Sequence, residues 1–401
     1  MTPGPTCASR PWSTAPGATW TSTSAGRTRM TDVRRVAPFN DLSRGMARDR
    51  AALLEATAEV IDSGYAIHGK QHAAFEAELR DYLGAGDAIG VASGTDALEL
   101  AIKAVMPEGK SVVLTAGNAG AYTSTATVRA GFTPRYADID PVTLCLTAET
   151  IAARLDDSVG VVVVTHLYGY LGDVAAIRAL LDERGVALVE DVAQGIGATR
   201  DGRKAGTFGH AATISFYPTK NLGAIGDGGA VIAETPEIAA RVRQLRQYGW
   251  ETKYNATLAG GTNSRLDELQ AAFLRIRLRQ IDEFNARRRE IIGRYAAAAA
   301  ALDPQLLTVL PAEGEQHVAH LAIARSARRD AVREQLAAAG VPTDIHFPLA
   351  DWEQPAFARF APDVELPATL AARAAVLSLP LFPELTDDEV DAVGAALGAL
   401  A

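Results

Sequence analysis

The segment Val159-Gly-Val-Val-Val-Val-Thr165 constrains the fold of this chain more than any other. Successive side chains on a strand point to opposite faces, so a strand that is apolar at every position must be covered on both sides. The segment falls well short of the roughly 18 apolar residues needed to cross a membrane, and no other window reaches that length. A buried, parallel-type strand is therefore expected here, and it needs helices above and below.

The rest of the chain supplies them. Short Val/Ile-rich runs at Ala88–Ala92, Ser111–Thr115, Pro134–Asp138, Val159–Leu167, Val186–Glu190, Thr213–Phe216 and Ala230–Ala233 read as strands. Helix-length amphipathic stretches alternate with them, at Thr95–Val105, Thr147–Leu155 and Val174–Leu181. Upstream, a helical pattern from Ala47 to Tyr82 is broken by Gly64 and Gly69, and from Leu266 a long helical stretch runs through the charged segment Arg275–Arg294. Beyond Pro311 a smaller α+β unit is expected, with a strand at Ala319–Ala324 and helices at Arg329–Ala339 and Thr386–Leu397. The fold class is thus α/β: a doubly wound, mostly parallel-sheet domain over residues 36–285, followed by a small C-terminal α+β domain over 286–401. Residues 1–35 are rich in Ser, Thr, Pro, Gly and Ala, lack the apolar core of a signal peptide, and read as a disordered extension, with Met30 a plausible natural start. A net charge of −9 argues against nucleic-acid and anionic-membrane partners, and only two cysteines in 401 residues suit a reduced, cytoplasmic protein. No metal site is expected.

Parallel sheets place ligands at the carboxyl ends of their strands. At the first such end, Gly94, Thr95 and Asp96 open a helix; they suit a phosphate and equally suit an ordinary N-cap. At another, Glu190 and Asp191 follow a buried strand, with Gln194 close behind. Buried acids need a cation, and either a structural ion pair or a protonated pyridine nitrogen answers that need. At a third, Ser215-Phe-Tyr-Pro-Thr-Lys220 presents a lysine on a rigid turn, followed by Gly223, Gly226, Gly228 and Gly229, which let backbone pass close to a ring. A lysine that forms a Schiff base needs such a mount and a lowered pKa. The combination points to pyridoxal 5'-phosphate (PLP) on Lys220.

The segments Ser93-Gly-Thr-Asp-Ala-Leu98, Glu190-Asp-Val-Ala-Gln194, Ser215 to Ala230 and Asn263-Ser-Arg-Leu-Asp-Glu-Leu-Gln270 resemble, in order and spacing, those of the DegT/DnrJ/StrS sugar aminotransferases, from about Pro38 to the C-terminus. The resemblance implies PLP fold type I, with Lys220 as Schiff-base lysine and proton shuttle, Asp191 on the pyridine nitrogen and Gln194 on the phenolic oxygen. It also implies that Gly94, Thr95, Asp96 and Ser215 hold the phosphate. Asn263 would reach the cofactor of a second subunit, making a homodimer with shared sites, and Arg265, His320, His346 and Tyr217 would bind substrate. L-glutamate would be the donor and a nucleotide-linked keto-sugar the acceptor. The variant of these motifs is similar to the branch acting at C3 of dTDP-linked keto-deoxysugars; C4 amination, a keto-cyclitol acceptor or a non-catalytic PLP-binding module are the alternatives. Lys220, where dehydratases of the family carry histidine, implies transamination. The ring-stacking aromatic of many members falls at Gly120 here, and Tyr122 is the residue in the loop that replaces it.

Overall fold

The structure, a computed structural model, describes residues 35–401. The extension expected at the N-terminus lies, except for Arg35, outside the described residues.

Seven strands form the central sheet: β1 (Asp87–Val91), β2 (Val112–Ala116), β3 (Thr133–Ala137), β4 (Val159–Thr165), β5 (Ala187–Asp191), β6 (Ala211–Ser215) and β7 (Gly229–Ala233). Their spatial order is β1-β7-β6-β5-β4-β2-β3. Strands β2 through β6 pair in parallel, whereas β7 runs antiparallel to both β1 and β6. Every residue of β4 is buried, and the run from Val161 to Val164 divides by parity. Val161 and Val163 enter one hydrophobic core, Val162 and Val164 another. The unbroken Val run is therefore two half-strands' worth of core, one for each face.

Twelve helices clothe the sheet and the C-terminal part. Those of the first half are α1 (Leu42–Ser63), α2 (Lys70–Leu83), α3 (Gly94–Val105), α4 (Tyr122–Arg129), α5 (Ala148–Ala152) and α6 (Val174–Asp182). The second half holds α7 (Pro236–Leu245), α8 (Glu268–Leu278), α9 (Ile281–Ala299), α10 (Arg329–Ala338), α11 (Pro367–Ala375) and α12 (Asp387–Gly398). Helices α3, α4 and α7 pack on one face of the sheet, and α2, α6 and α8 on the other. A three-stranded antiparallel sheet of β8 (Thr308–Val309), β9 (Ala322–Arg325) and β10 (Val376–Leu379) backs a separate core shared with α9, α10 and α12.

One sequence expectation is corrected. The stretch from Leu266 is not one helix: it breaks at 279–280, so that α8 stays on the large sheet while α9 turns its buried face to α12. The strand series ends in an antiparallel strand. Helices α4, α7 and α11 were not anticipated, although Thr235-Pro236 is an N-cap followed by proline at the first helical position.

Gly64 ends α1 in the left-handed region (φ 69°), and Gly69 starts α2 for a different reason. A Cβ at Gly69 would lie 2.6 Å from the Glu268 carboxylate. That buried carboxylate accepts the N–H groups of Gly69 (2.8 Å), Gln71 (2.9 Å) and His72 (2.8 Å), which are left over at the start of α2. Replacing Glu268 by alanine strands these donors in the interior, and at about 1–3 kcal/mol each the loss should reach on the order of 3 kcal/mol. The thermal midpoint of Glu268→Ala should fall clearly below that of Glu268→Gln, which keeps one acceptor; equal midpoints would contradict this capping role.

Candidate active site

The carboxyl ends of β4, β5 and β6 open on a cavity of about 460 Å³ that also meets the C-terminal segments 320–321, 346–347 and 379–381. The two acids that finish β5 point in opposite directions. Glu190 accepts the N–H groups of Gly206 (2.9 Å), Phe208 (2.7 Å) and Gly209 (2.8 Å) and pairs with the His166 ring at 2.9 Å. Burial pushes its pKa up, but the His166 ring and these donors outweigh that and hold it below the usual value. Asp191 lines the cavity. It accepts the Ala193 N–H at 3.0 Å and the Thr165 hydroxyl at 3.1 Å, from the facing end of β4.

Lys220 lies across from it, on the turn after β6, with its N–H donating to the Tyr217 carbonyl at 2.8 Å. It keeps part of its surface open to the cavity although it sits deep among protein atoms. Burial pushes the Asp191 carboxyl up and the Lys220 ammonium down, and the charge of each opposes the shift of the other. A lysine so placed is readily neutral and nucleophilic.

Around this pair the groups fit a pyridoxal phosphate. Gln194 accepts the Tyr168 N–H on its Oε1 at 2.7 Å, which leaves the amide nitrogen as a donor for a phenolic oxygen. Ser93 caps α3, and Gly94 and Thr95 line the cavity with first-turn N–H groups that have no carbonyl partner in the helix. Ser215 is pressed against them: a Cβ at Gly94 would lie 2.6 Å from that of Ser215. At Gly229 a Cβ would meet the Ser93 carbonyl oxygen at 2.4 Å, so glycine is required for β7 to pass.

Some expected site residues stand elsewhere. The carboxylate of Asp96 does not line the cavity; it accepts Ser264 and Arg129, both at 2.8 Å, while its backbone N–H is capped by Ser93. Asn263 is exposed and Arg265 half-buried near His68, both outside this cavity, while Ser264 between them is fully buried. Tyr217 stands at the rim, half-exposed. His320 lines the inner wall and bonds Asn221 at 2.8 Å, and His346 bonds Ser378 at 2.9 Å. Burial keeps both below the ordinary imidazole value, so neither is a cation at neutral pH.

Sequence reasoning missed three groups. Phe347 fills the space over Gly120, where a Cβ would lie 2.8 Å from its ring, and it meets Tyr122 edge-on at 6.0 Å. Phe39 stacks on His346 at 6.2 Å. Arg288 is buried in the cavity wall, yet it stands in a charged segment that reads as a solvated helix. The spacing Ile281, Asn285, Arg288, Ile292, Tyr295 was the available signal, since it puts Arg288 on the buried stripe of α9.

A buried acid facing a lysine across the carboxyl ends of a parallel sheet, beside a helix start built for phosphate, defines a PLP-dependent transferase of fold type I. Comparisons with known proteins agree. The model of the DegT/DnrJ/EryC1/StrS aminotransferase family matches residues 48–398. The dTDP-3-amino-3,4,6-trideoxy-alpha-D-glucose transaminase of Micromonospora megalomicea subsp. nigra is 38% identical over 86% of this chain and 94% of its own length. The erythromycin biosynthesis sensory transduction protein EryC1 of Saccharopolyspora erythraea is 37% identical over 90% and 99%. Among solved structures, DesV of S. venezuelae superposes with a TM-score of 0.86 at 37% identity, over 91% of this chain and 98% of its own. NtdA of Bacillus subtilis, solved with bound PMP, gives 0.84 at 28% identity over 92% and 86%. The chain belongs to the DegT/DnrJ/EryC1/StrS family and is an aminotransferase.

The loop before α4 is clamped from the C-terminal side. Asp351 accepts the Ala121 N–H at 2.8 Å and the Ser124 hydroxyl at 2.6 Å, and burial nevertheless pushes its carboxyl from 3.8 up to about 6. A raised folded value means that its contribution is complete below the unfolded value and is lost as pH rises through the folded one, roughly 3 kcal/mol at neutrality. The stability advantage of wild type over Asp351→Asn should therefore shrink between pH 4 and 7 in thermal melts. A difference that stayed constant across that window would refute the clamp's titration.

Proposed function

We propose that this enzyme moves an amino group from L-glutamate to the C3 keto group of a dTDP-linked keto-deoxyhexose, as a cytoplasmic homodimer in amino-deoxysugar biosynthesis. The observation that carries the reading is the opposed pair of Lys220 and Asp191 in one cavity. Support for C3 comes from the relatives: the M. megalomicea transaminase, its 39% identical counterpart in Streptomyces venezuelae, and a 37% identical UDP-N-acetyl-3-dehydro-alpha-D-glucosamine 3-aminotransferase of Acidithiobacillus ferrooxidans.

Bound PLP supplies an electron sink that stabilises negative charge on the carbon attached to the substrate nitrogen. The residues of the chain do the rest. Asp191 would keep the ring nitrogen protonated, Gln194 would donate to the phenolic oxygen, and Gly94, Thr95 and Ser215 would hold the phosphate. The Lys220 Nζ, made less basic by burial, would take the proton from that carbon and return it to the carbon on the other side of the nitrogen. Tyr122 and Phe347 would cover the ring face that Gly120 leaves open, and the two neutral histidines, His320 and His346, with Tyr217 at the rim, would hydrogen-bond a sugar without adding charge. Residues 286–401 would act as the small domain that closes the cavity.

The exposed position of Asn263 fits a role in a second subunit's site, with Arg265 beside it for an anionic substrate. The buried bonds from Ser264 to Asp96 and to the Ala92 N–H tie that segment to the start of α3.

The holoenzyme should be yellow, and glutamate should bleach the band; Lys220→Ala should abolish that half-reaction, and a normal rate in this variant would sink the assignment. Refolding a mixture of Lys220→Ala and Asn263→Ala chains tests the shared site. If Asn263 acts across a dimer, mixed dimers carry one intact site and about a quarter of wild-type activity returns. If it acts within its own subunit, the mixture stays inactive.

A further inference from the structure

Arg288 is the one group in the cavity wall whose chemistry the PLP site leaves unused. Its side chain is buried, with 5% of its surface exposed. Only Nη1 is engaged, donating to the carbonyls of His320 at 3.3 Å and Leu381 at 3.4 Å, and Nε is buried with no partner. Among the described residues it forms no salt bridge. Glu384, the carboxylate whose field reaches it, is bonded to Arg48 at 2.6 Å. A buried guanidinium without a carboxylate is costly, and a planar fork of donors is matched best by one.

Its place says which carboxylate. Arg288 and Lys220 line the same cavity, and the charge of each reaches the His320 ring, which burial already holds below the ordinary imidazole value. Apart from Lys220 it is the only lysine or arginine among the described residues in that lining. An amino acid carries its α-carboxylate on the carbon that bears the amine, so a cation near Lys220 meets that group. The diphosphate of a nucleotide-sugar is separated from its C3 by the sugar ring, so it would reach the cavity's outer part.

Resting on the donor reading above, we propose that Arg288 binds the α-carboxylate of the amino donor. The two long bonds to carbonyls hold the guanidinium while an uncharged sugar ring occupies the same space, and a carboxylate competes with them when the donor enters. One site thus accepts an acidic amino acid and a sugar in turn.

Arg288→Gln should raise the glutamate concentration for half-maximal bleaching by about 30-fold or more, the loss expected when a buried charge pair is cut. Arg288→Lys should recover part of it. The reverse half-reaction with dTDP-3-amino-3,4,6-trideoxy-α-D-glucose should lose far less than the glutamate half-reaction. An unchanged glutamate dependence, or equal damage to both half-reactions, would overturn the proposal. Should either variant fail to fold, phenylglyoxal labelling of wild-type holoenzyme decides: glutarate should protect Arg288, and labelling that is absent or unaffected by glutarate would overturn it. If wild type does not respond to glutamate at all, the donor reading itself fails.

Discussion

Two adjacent carboxylates buried at the end of one strand organise this molecule. Ionised groups are tolerated in a sheet interior only where donors or cations meet them. Glu190 meets that condition with three backbone N–H groups and the His166 ring, and thereby fixes the segment 206–209 under the sheet. Asp191, one residue on and facing the other way, is left with a hydroxyl, one N–H and the field of Lys220. The acid that is fully satisfied holds the segment 206–209, and the one that is not faces the cavity.

Beyond that pair, the cavity depends on contacts between distant parts of the chain. Asn221, next to Lys220, receives the His320 ring on its Oδ1 and donates to Asn285 and to the Val318 carbonyl at 2.7 and 2.9 Å. The turn that mounts the lysine is thus held by α9 and by the segment leading into β9. Asp351 likewise holds the loop before α4, and Glu268 the start of α2. Each is a buried polar group whose partners are more than 60 residues away in sequence.

That distribution explains what the sequence disclosed. The Val run in β4, the glycine breaks at 64 and 69, and the strand ends carrying Gly94, Asp191 and Lys220 are local patterns, and they placed the sheet and most of the cofactor groups. Long-range packing left no such mark. Asp96 reads as part of the same helix start as Gly94 and Thr95, yet its carboxylate is taken by Ser264 and Arg129. Phe347 shows no signal in the 347 region; only the glycine at 120, read together with the fold, explains why a ring stands there. Arg288 hid among the arginines of α9, where only its register with Asn285, Ile292 and Tyr295 distinguishes it.

The account's central claim is that Asp191 sets the electronic state of the bound cofactor through its charge. Asp191→Asn preserves shape and one acceptor, for the Ala193 N–H, but removes that charge. Single-turnover bleaching of the purified variant by saturating glutamate should slow on the order of 100- to 1,000-fold, with the cofactor still bound. A rate within a few-fold of wild type would contradict it.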